Sequence, residues 1–154
     1  MAPLTQAEVD SVMQELGPMT ADAEKRTELG LKVYKALFNA KPDYITLFTK
    51  LQGLTKDNVM QSDGIKYYGR TYVEDLVKFI QAAAKDPELQ ALIETSIQQH
   101  KQRNVNKEQF LMAPVFLYSA PNDAAALMLR WTLVCKARSD LARAVFTHRG
   151  GRSE

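Results

Sequence analysis

The chain has one cysteine and two histidines among 154 residues. A lone Cys135 excludes an intramolecular disulfide and suits a reducing compartment. With no thiolate cluster and only His100 in the body of the chain, the three or four protein ligands of a zinc site are also missing. An excess of one charge is lacking too. Twenty Lys and Arg against 18 Asp and Glu leave a formal charge of +2, and the basic residues are scattered, so there is no electrostatic case for nucleic acid. Residues 1–10 lack the apolar core of a signal peptide, and Arg130 interrupts the apolar stretch 127–134. No membrane segment is therefore expected, and a soluble, cytoplasmic protein is. No segment shows the apolar/polar alternation and turn dipeptides of paired strands, and there is no internal repeat. What remains is 45% hydrophobic and 25% charged, which fits one globular domain over 1–154.

Helical signals run the length of the chain and predict an all-α fold. Thr5 and Glu8 form a capping box for a first helix that should stop near Gly17 and Pro18. Thr20 can cap a second helix running to Phe38 or Asn39. Pro42 opens a short third one, where its missing N–H costs least. Residues 50–61 read as irregular, with one turn near Thr55. Ser62 opens a long helix with Ile65, Tyr68, Tyr72, Leu76 and Phe79 on one face. Asp86 and Pro87 start the next, and Asn106 caps another that contains Phe110 and Phe116, which Pro114 should bend or break. Asn122 or Asp123 begins the last, with Leu127, Trp131, Val134, Leu141 and Val145 inward. The tail 147–154 is expected to fray.

His100 is the residue out of pattern. Leu89, Ile93 and Ile97 form an apolar stripe, and His100 continues it where an aliphatic side chain belongs. Two readings stand on this helix alone: a core imidazole bonded to a backbone carbonyl, or an axial ligand to haem iron. Two glycines inside helices also need a cause, since each is about 1 kcal/mol worse than alanine there. Gly30 lies four residues before Tyr34, and Gly69 directly follows Tyr68. A close crossing of the two helices would account for both glycines and would bring the two tyrosines together.

With those residues in place, the chain resembles the globin family from about Thr5 to Phe146. Gly30 and Gly69 match the glycines of the crossing between a globin's second and fifth helices, and Pro42 matches the proline of the short third helix. Phe48 matches the phenylalanine on the haem face, and His100 the proximal iron ligand. Val105 to Phe110 look like the haem-contacting corner and the helix after it, with about one residue fewer. The position of the distal histidine is held by Tyr68, and the facing position by Tyr34. That pair, together with the segment LQGLTKDNVMQSDGIKYYGRT, resembles the haemoglobins of trematode flatworms. Tyr72 departs from the family pattern, which has an aliphatic residue over the iron. A third phenol there either crowds a ligand or adds a donor.

The resemblance implies a fold of seven to eight helices around haem b, bound to iron through His100, and reversible binding of dioxygen or other small haem ligands. Tyr34 and Tyr68 would donate to dioxygen. At about 1.5 to 3 kcal/mol per bond to a charged acceptor, two such bonds slow its release about 100-fold or more, which makes high affinity the expectation. Phe48 would lie against the porphyrin, with Leu47, Tyr72, Leu76, Ile97, Val105 and Phe110 as wall. Lys50 and Arg103 stand where propionates need cations. Trp131 and Cys135 read as packing. A haem enzyme consuming nitric oxide or peroxide is the alternative function, although no distal acid/base pair is visible for it. A haem-free helical sensor is a third reading, opposed by His100 and Phe48. No heptad seam demands a partner, so monomer is the default.

Overall fold

The computed structural model describes residues 4–112. Pro114, Phe116, the helix expected from Asn122 or Asp123, Trp131, Cys135 and the tail lie outside the described residues. Within them are five α-helices and three short 3₁₀ turns, with no strand.

Helix α1 spans Gln6–Thr20. The Thr5 hydroxyl accepts the Glu8 N–H at 3.3 Å, and the Glu8 carboxylate accepts the Thr5 N–H at 2.8 Å. This is the expected capping box, a device that contributes about 1 kcal/mol. The helix does not stop at Gly17 and Pro18 but continues to Thr20. Proline forfeits only its own N–H bond one turn from a helix end, and the Thr20 hydroxyl donates to the Leu16 carbonyl at 3.0 Å. Thr20 is thereby turned back into α1, so it does not cap the next helix. Asp22 does, its carboxylate accepting the Lys25 N–H at 2.8 Å, and α2 runs Ala23–Ala40.

Pro42–Leu47 form the short 3₁₀ helix with proline in its first turn, followed by turns at Thr49–Leu51 and Val59–Gln61. Helix α3 spans Asp63–Ala82, with the Ser62 hydroxyl accepting the Ile65 N–H at 3.2 Å. Helix α4 spans Asp86–Gln102 and begins one residue earlier than expected, with Lys85 rather than Asp86 at the cap position. Helix α5, Lys107–Met112, opens on a reciprocal pair: Asn106 accepts the Gln109 N–H, and Gln109 accepts the Asn106 N–H, both at 2.9 Å.

Two apolar clusters hold these elements together. One joins Val9, Val12 and Leu16 of α1 to Leu76, Phe79 and Ile80 of α3, to Leu89, Ile93 and Ile97 of α4, and to Phe110. The other joins Tyr34, Leu37 and Phe38 of α2 to Ile45, Leu51, Val59 and Ile65. Each fully buried large side chain contributes about 1.5–3 kcal/mol. Helices α2 and α3 share the most extensive helix contact, and Gly30 and Gly69 meet in it, both buried. Arg26 reinforces this crossing from α2. Its Nε donates to the Thr20 carbonyl at 2.7 Å, and its guanidinium lies 3.9 Å from Glu74 of α3.

Candidate functional site

Between the two clusters lies a cleft with a free volume of about 170 Å³. Its first wall comes from α2 and α3: Tyr34 and Leu37, then Tyr68, Thr71, Tyr72, Asp75, Leu76 and Phe79. The facing wall comes from α4 and the segment after it: Ser96, Gln99, His100, Arg103, Val105, Gln109 and Phe110. Tyr44, Leu47 and Phe48 close one end. The crossing at Gly30 and Gly69 sets the first wall. It lets α2 and α3 approach until Tyr34 and Tyr72 meet edge to face, with ring centroids 6.0 Å apart.

His100 ends the α4 stripe as a partly buried side chain. Its Nδ1 lies 2.7 Å from the Ser96 carbonyl. A carbonyl oxygen can only accept, so Nδ1 carries the proton, and the lone pair of the neutral imidazole is on Nε2. Phe110 stands edge-on to the ring at 5.0 Å between centroids. The carbonyl bond of the first reading of His100 is therefore present, and it also prepares the imidazole for the second, because it fixes the tautomer and aim that a metal ligand needs.

On the opposite wall Tyr34 is buried against Phe48, Phe38 and Tyr72. Burial first, and then the neighbouring Tyr72, Tyr68 and Asp75, push its phenol well above the ordinary value of 10, against a smaller downward pull from Arg103. Tyr34 thus keeps its proton and remains a hydrogen-bond donor. Tyr68 is differently placed. Its oxygen accepts the Lys50 N–H at 3.3 Å and lies 3.2 Å from the Thr49 hydroxyl. Its ring stacks edge-on to Phe48 at 5.0 Å.

Of the residues the sequence nominated, Tyr34, Leu47, Phe48, Tyr68, Tyr72, Leu76, His100, Arg103, Val105 and Phe110 come together around this one cleft. Two do not line it. Ile97 is fully buried in the cluster behind α4, because helical spacing puts it on the core side of the turn before His100. The Lys50 ammonium lies over the Tyr67 ring, 4.9 Å from its centroid, outside the cleft. The sequence reading missed Leu37, Tyr44, Thr71, Asp75, Phe79, Ser96, Gln99 and Gln109 as lining residues. Helical spacing held the signal for two of them: Asp75 stands one turn beyond Tyr72, and Ser96 one turn before His100.

These features define a class: an α-helical protein whose cleft sets a tautomer-fixed imidazole against a wall of aromatic rings and phenols. Among the described residues no group of three or more His, Cys, Asp and Glu could hold a bare metal ion. The donor set therefore suits a metal that brings a flat macrocycle of its own ligands. Comparison with known proteins gives the particular family. The globin family model matches residues 31–118. A globin of Dicrocoelium dendriticum is 46% identical over 118 residues, 76% of this chain and 80% of that one. One of Isoparorchis hypselobagri is 42% identical over 116 residues, 74% and 78% of the two chains. Both are from trematodes. The chain belongs to the globin family. Its fold is similar to that of the ferric myoglobin of Aplysia limacina, with a TM-score of 0.74 over 92% of this chain and 97% of that one, at 23% identity. Among the described residues no helix is long and apolar enough to cross a membrane.

Proposed function

We propose that the cleft holds haem b, with the imidazole of His100 as the protein ligand to its iron, and that the protein binds dioxygen reversibly with high affinity. Membership of the globin family supports a haem-based oxygen-binding protein. The observation that carries the site assignment is the 2.7 Å bond from His100 Nδ1 to the Ser96 carbonyl, in a cleft whose other wall carries Tyr34. Haem, when bound, supplies a ferrous iron that takes up small diatomic ligands.

The chain's own residues do the rest. Phe48, Leu47, Leu76, Val105 and Phe110 give the macrocycle apolar surface and keep bulk water out. Arg103, exposed on the cleft rim, is the cation for a propionate. Lys50 is set aside for that role because its ammonium is engaged over Tyr67. Tyr34 holds a proton that burial keeps in place and offers it to a ligand with anionic character. Tyr68 offers a second. When the Thr49 hydroxyl and the Lys50 N–H both donate to the Tyr68 oxygen, its own proton is left to face the cleft. Oxygen transport, storage or scavenging is the role we assign to such a site.

Two measurements test the proposal. His100→Gly should lose the haem absorption band of the purified protein and regain it with added imidazole. Tyr34→Phe should speed dioxygen dissociation by about 10-fold or more, at about 1.4 kcal/mol per tenfold. A His100→Gly protein that holds haem without imidazole overturns the ligand assignment, and an unchanged dissociation rate in Tyr34→Phe overturns the donor role.

A further inference from the structure

The wall that faces His100 is almost without charge. Tyr34, Tyr68, Thr71, Tyr72 and Leu76 present neutral groups to that side of the cleft, and Asp75 is the one charged side chain among the described residues that line it. Asp75 stands on α3 one turn beyond Tyr72 and two turns beyond Tyr68, on the face that carries both phenols. Its carboxylate is 3.5 Å from the Lys78 ammonium, and both side chains are more than half exposed. A pair so open to water is weakly held, and Lys78 offsets only part of the carboxylate's field. Into the cleft the field meets rings and aliphatic groups, through which a charge acts over a longer range than through water. On the facing wall Arg103 has the opposite sign.

Resting on the reading that haem occupies the cleft, we propose that Asp75 selects ligands by charge: it disfavours small anions such as azide and fluoride at ferric haem and leaves the site to neutral diatomic molecules. With Arg103 paired to a propionate, Asp75 is the charge that the ligand side of the cleft feels. Its field reaches the atoms a ligand would meet. After burial and the phenols of Tyr72 and Tyr68, Asp75 is a further cause that raises the Tyr34 phenol above its ordinary value.

The phenols alone would not make this choice. A hydrogen bond strengthens with the negative charge of its acceptor, so donors such as Tyr34 and Tyr68 would hold a full anion at least as well as dioxygen, which acquires only part of a charge. Donors act at contact. A carboxylate acts at a distance, in proportion to the charge it meets. Asp75 therefore penalises an anion more than it penalises dioxygen and leaves a neutral ligand unaffected, and selectivity is the difference between those penalties.

The test uses the haem-loaded full chain in its ferric form, with azide as the anion and nitric oxide as a neutral ligand of the same oxidation state. Asp75→Asn keeps the size of the side chain and removes its charge. It should bind azide severalfold more tightly than wild type, with the gap narrowing as salt is added, and should bind nitric oxide with unchanged affinity. Asp75→Glu should keep the low azide affinity of the wild type. The midpoint potential should also rise in Asp75→Asn, because one negative charge fewer favours the ferrous state, and this reads the charge without any added ligand. Equal azide affinities in wild type and Asp75→Asn, a tightening that azide and nitric oxide share, or an unmoved potential overturns the role of Asp75 while leaving haem binding intact. A wild-type protein without a haem band brings down both.

Discussion

Gly30 and Gly69 bring the main chains of α2 and α3 into contact, and the contact is asymmetric. A Cβ on Gly30 would fall on the carbonyl group of Gly69, whereas a Cβ on Gly69 would stand 3.2 Å from the Gly30 carbonyl carbon and the Leu31 nitrogen. Backbone cannot rotate away as a side chain can. Gly30→Ala must therefore push the helices apart and loosen the packing of Tyr34, at a cost of about 2–3 kcal/mol. Gly69→Ala needs a shift of only a few tenths of an ångström and gains about 1 kcal/mol of helix propensity, so it should fall within about 1 kcal/mol of wild type. Urea midpoints of the two variants decide it, and equal losses would show that the crossing is looser than described.

The close approach of segment 49–51 to α3 depends on a third glycine. A Cβ on Gly64 would lie 2.5 Å from the Lys50 carbonyl oxygen and 2.9 Å from Leu51 Cδ2. That closeness is what puts the Thr49 hydroxyl and the Lys50 N–H within reach of Tyr68. If Thr49 orients the Tyr68 proton toward the cleft, Thr49→Val should speed dioxygen dissociation up to about tenfold, the worth of one ordinary hydrogen bond. The same change should have no effect when Tyr68 is already phenylalanine. Stopped-flow rates for the double-mutant cycle measure that coupling, and additive effects would remove Thr49 from the ligand side.

What the sequence disclosed, and what it did not, follows from the range of the forces involved. The caps at Thr5 and Ser62 and the glycine pair were legible because each depends on neighbours in the chain or on a backbone that tolerates nothing larger. The end of α1 was misread at Pro18, since proline's penalty is local and one surviving turn offsets it. Thr20 was misread as a cap because its hydroxyl had two partners within reach, and periodicity does not choose between them. Ile97 and Lys50 were expected at the cleft from the resemblance, as apolar wall and as a cation for a propionate. Neither expectation could tell the cleft from the packed cluster that adjoins it, where Ile97 is buried, and Lys50 lies over an exposed ring that only the fold sets beside it.

Tyr34 makes a prediction about alkaline pH. Its native pKa is raised above the ordinary 10, chiefly by burial. Below 10 the phenol is protonated in both the native and unfolded states, so it contributes no slope. Above 10 the unfolded chain releases the proton while the native protein retains it. Stability then falls with pH by up to about 1.4 kcal/mol per unit from this one group. Urea midpoints measured between about pH 8 and 11 should decline more steeply for wild type than for Tyr34→Phe. Parallel declines would mean that Tyr34 reaches water in the native state.

Tyr72 decides how the ligand space is filled. It stands one helical turn beyond Tyr68, lines the cleft and meets Tyr34 edge-on, with its hydroxyl buried. Two substitutions separate size from polarity. Tyr72→Phe removes the hydroxyl and keeps the ring, so carbon monoxide, which needs no hydrogen bond, should associate at nearly the wild-type rate. Tyr72→Leu also removes the bulk of a six-membered ring from a space of about 170 Å³. Association of carbon monoxide after flash photolysis should then quicken severalfold, because the entering ligand no longer waits for the ring to move. Dioxygen dissociation adds the second axis. A faster rate in Tyr72→Phe would make the hydroxyl a donor in its own right, whereas a change confined to Tyr72→Leu assigns Tyr72 to filling the space against which Tyr34 is held.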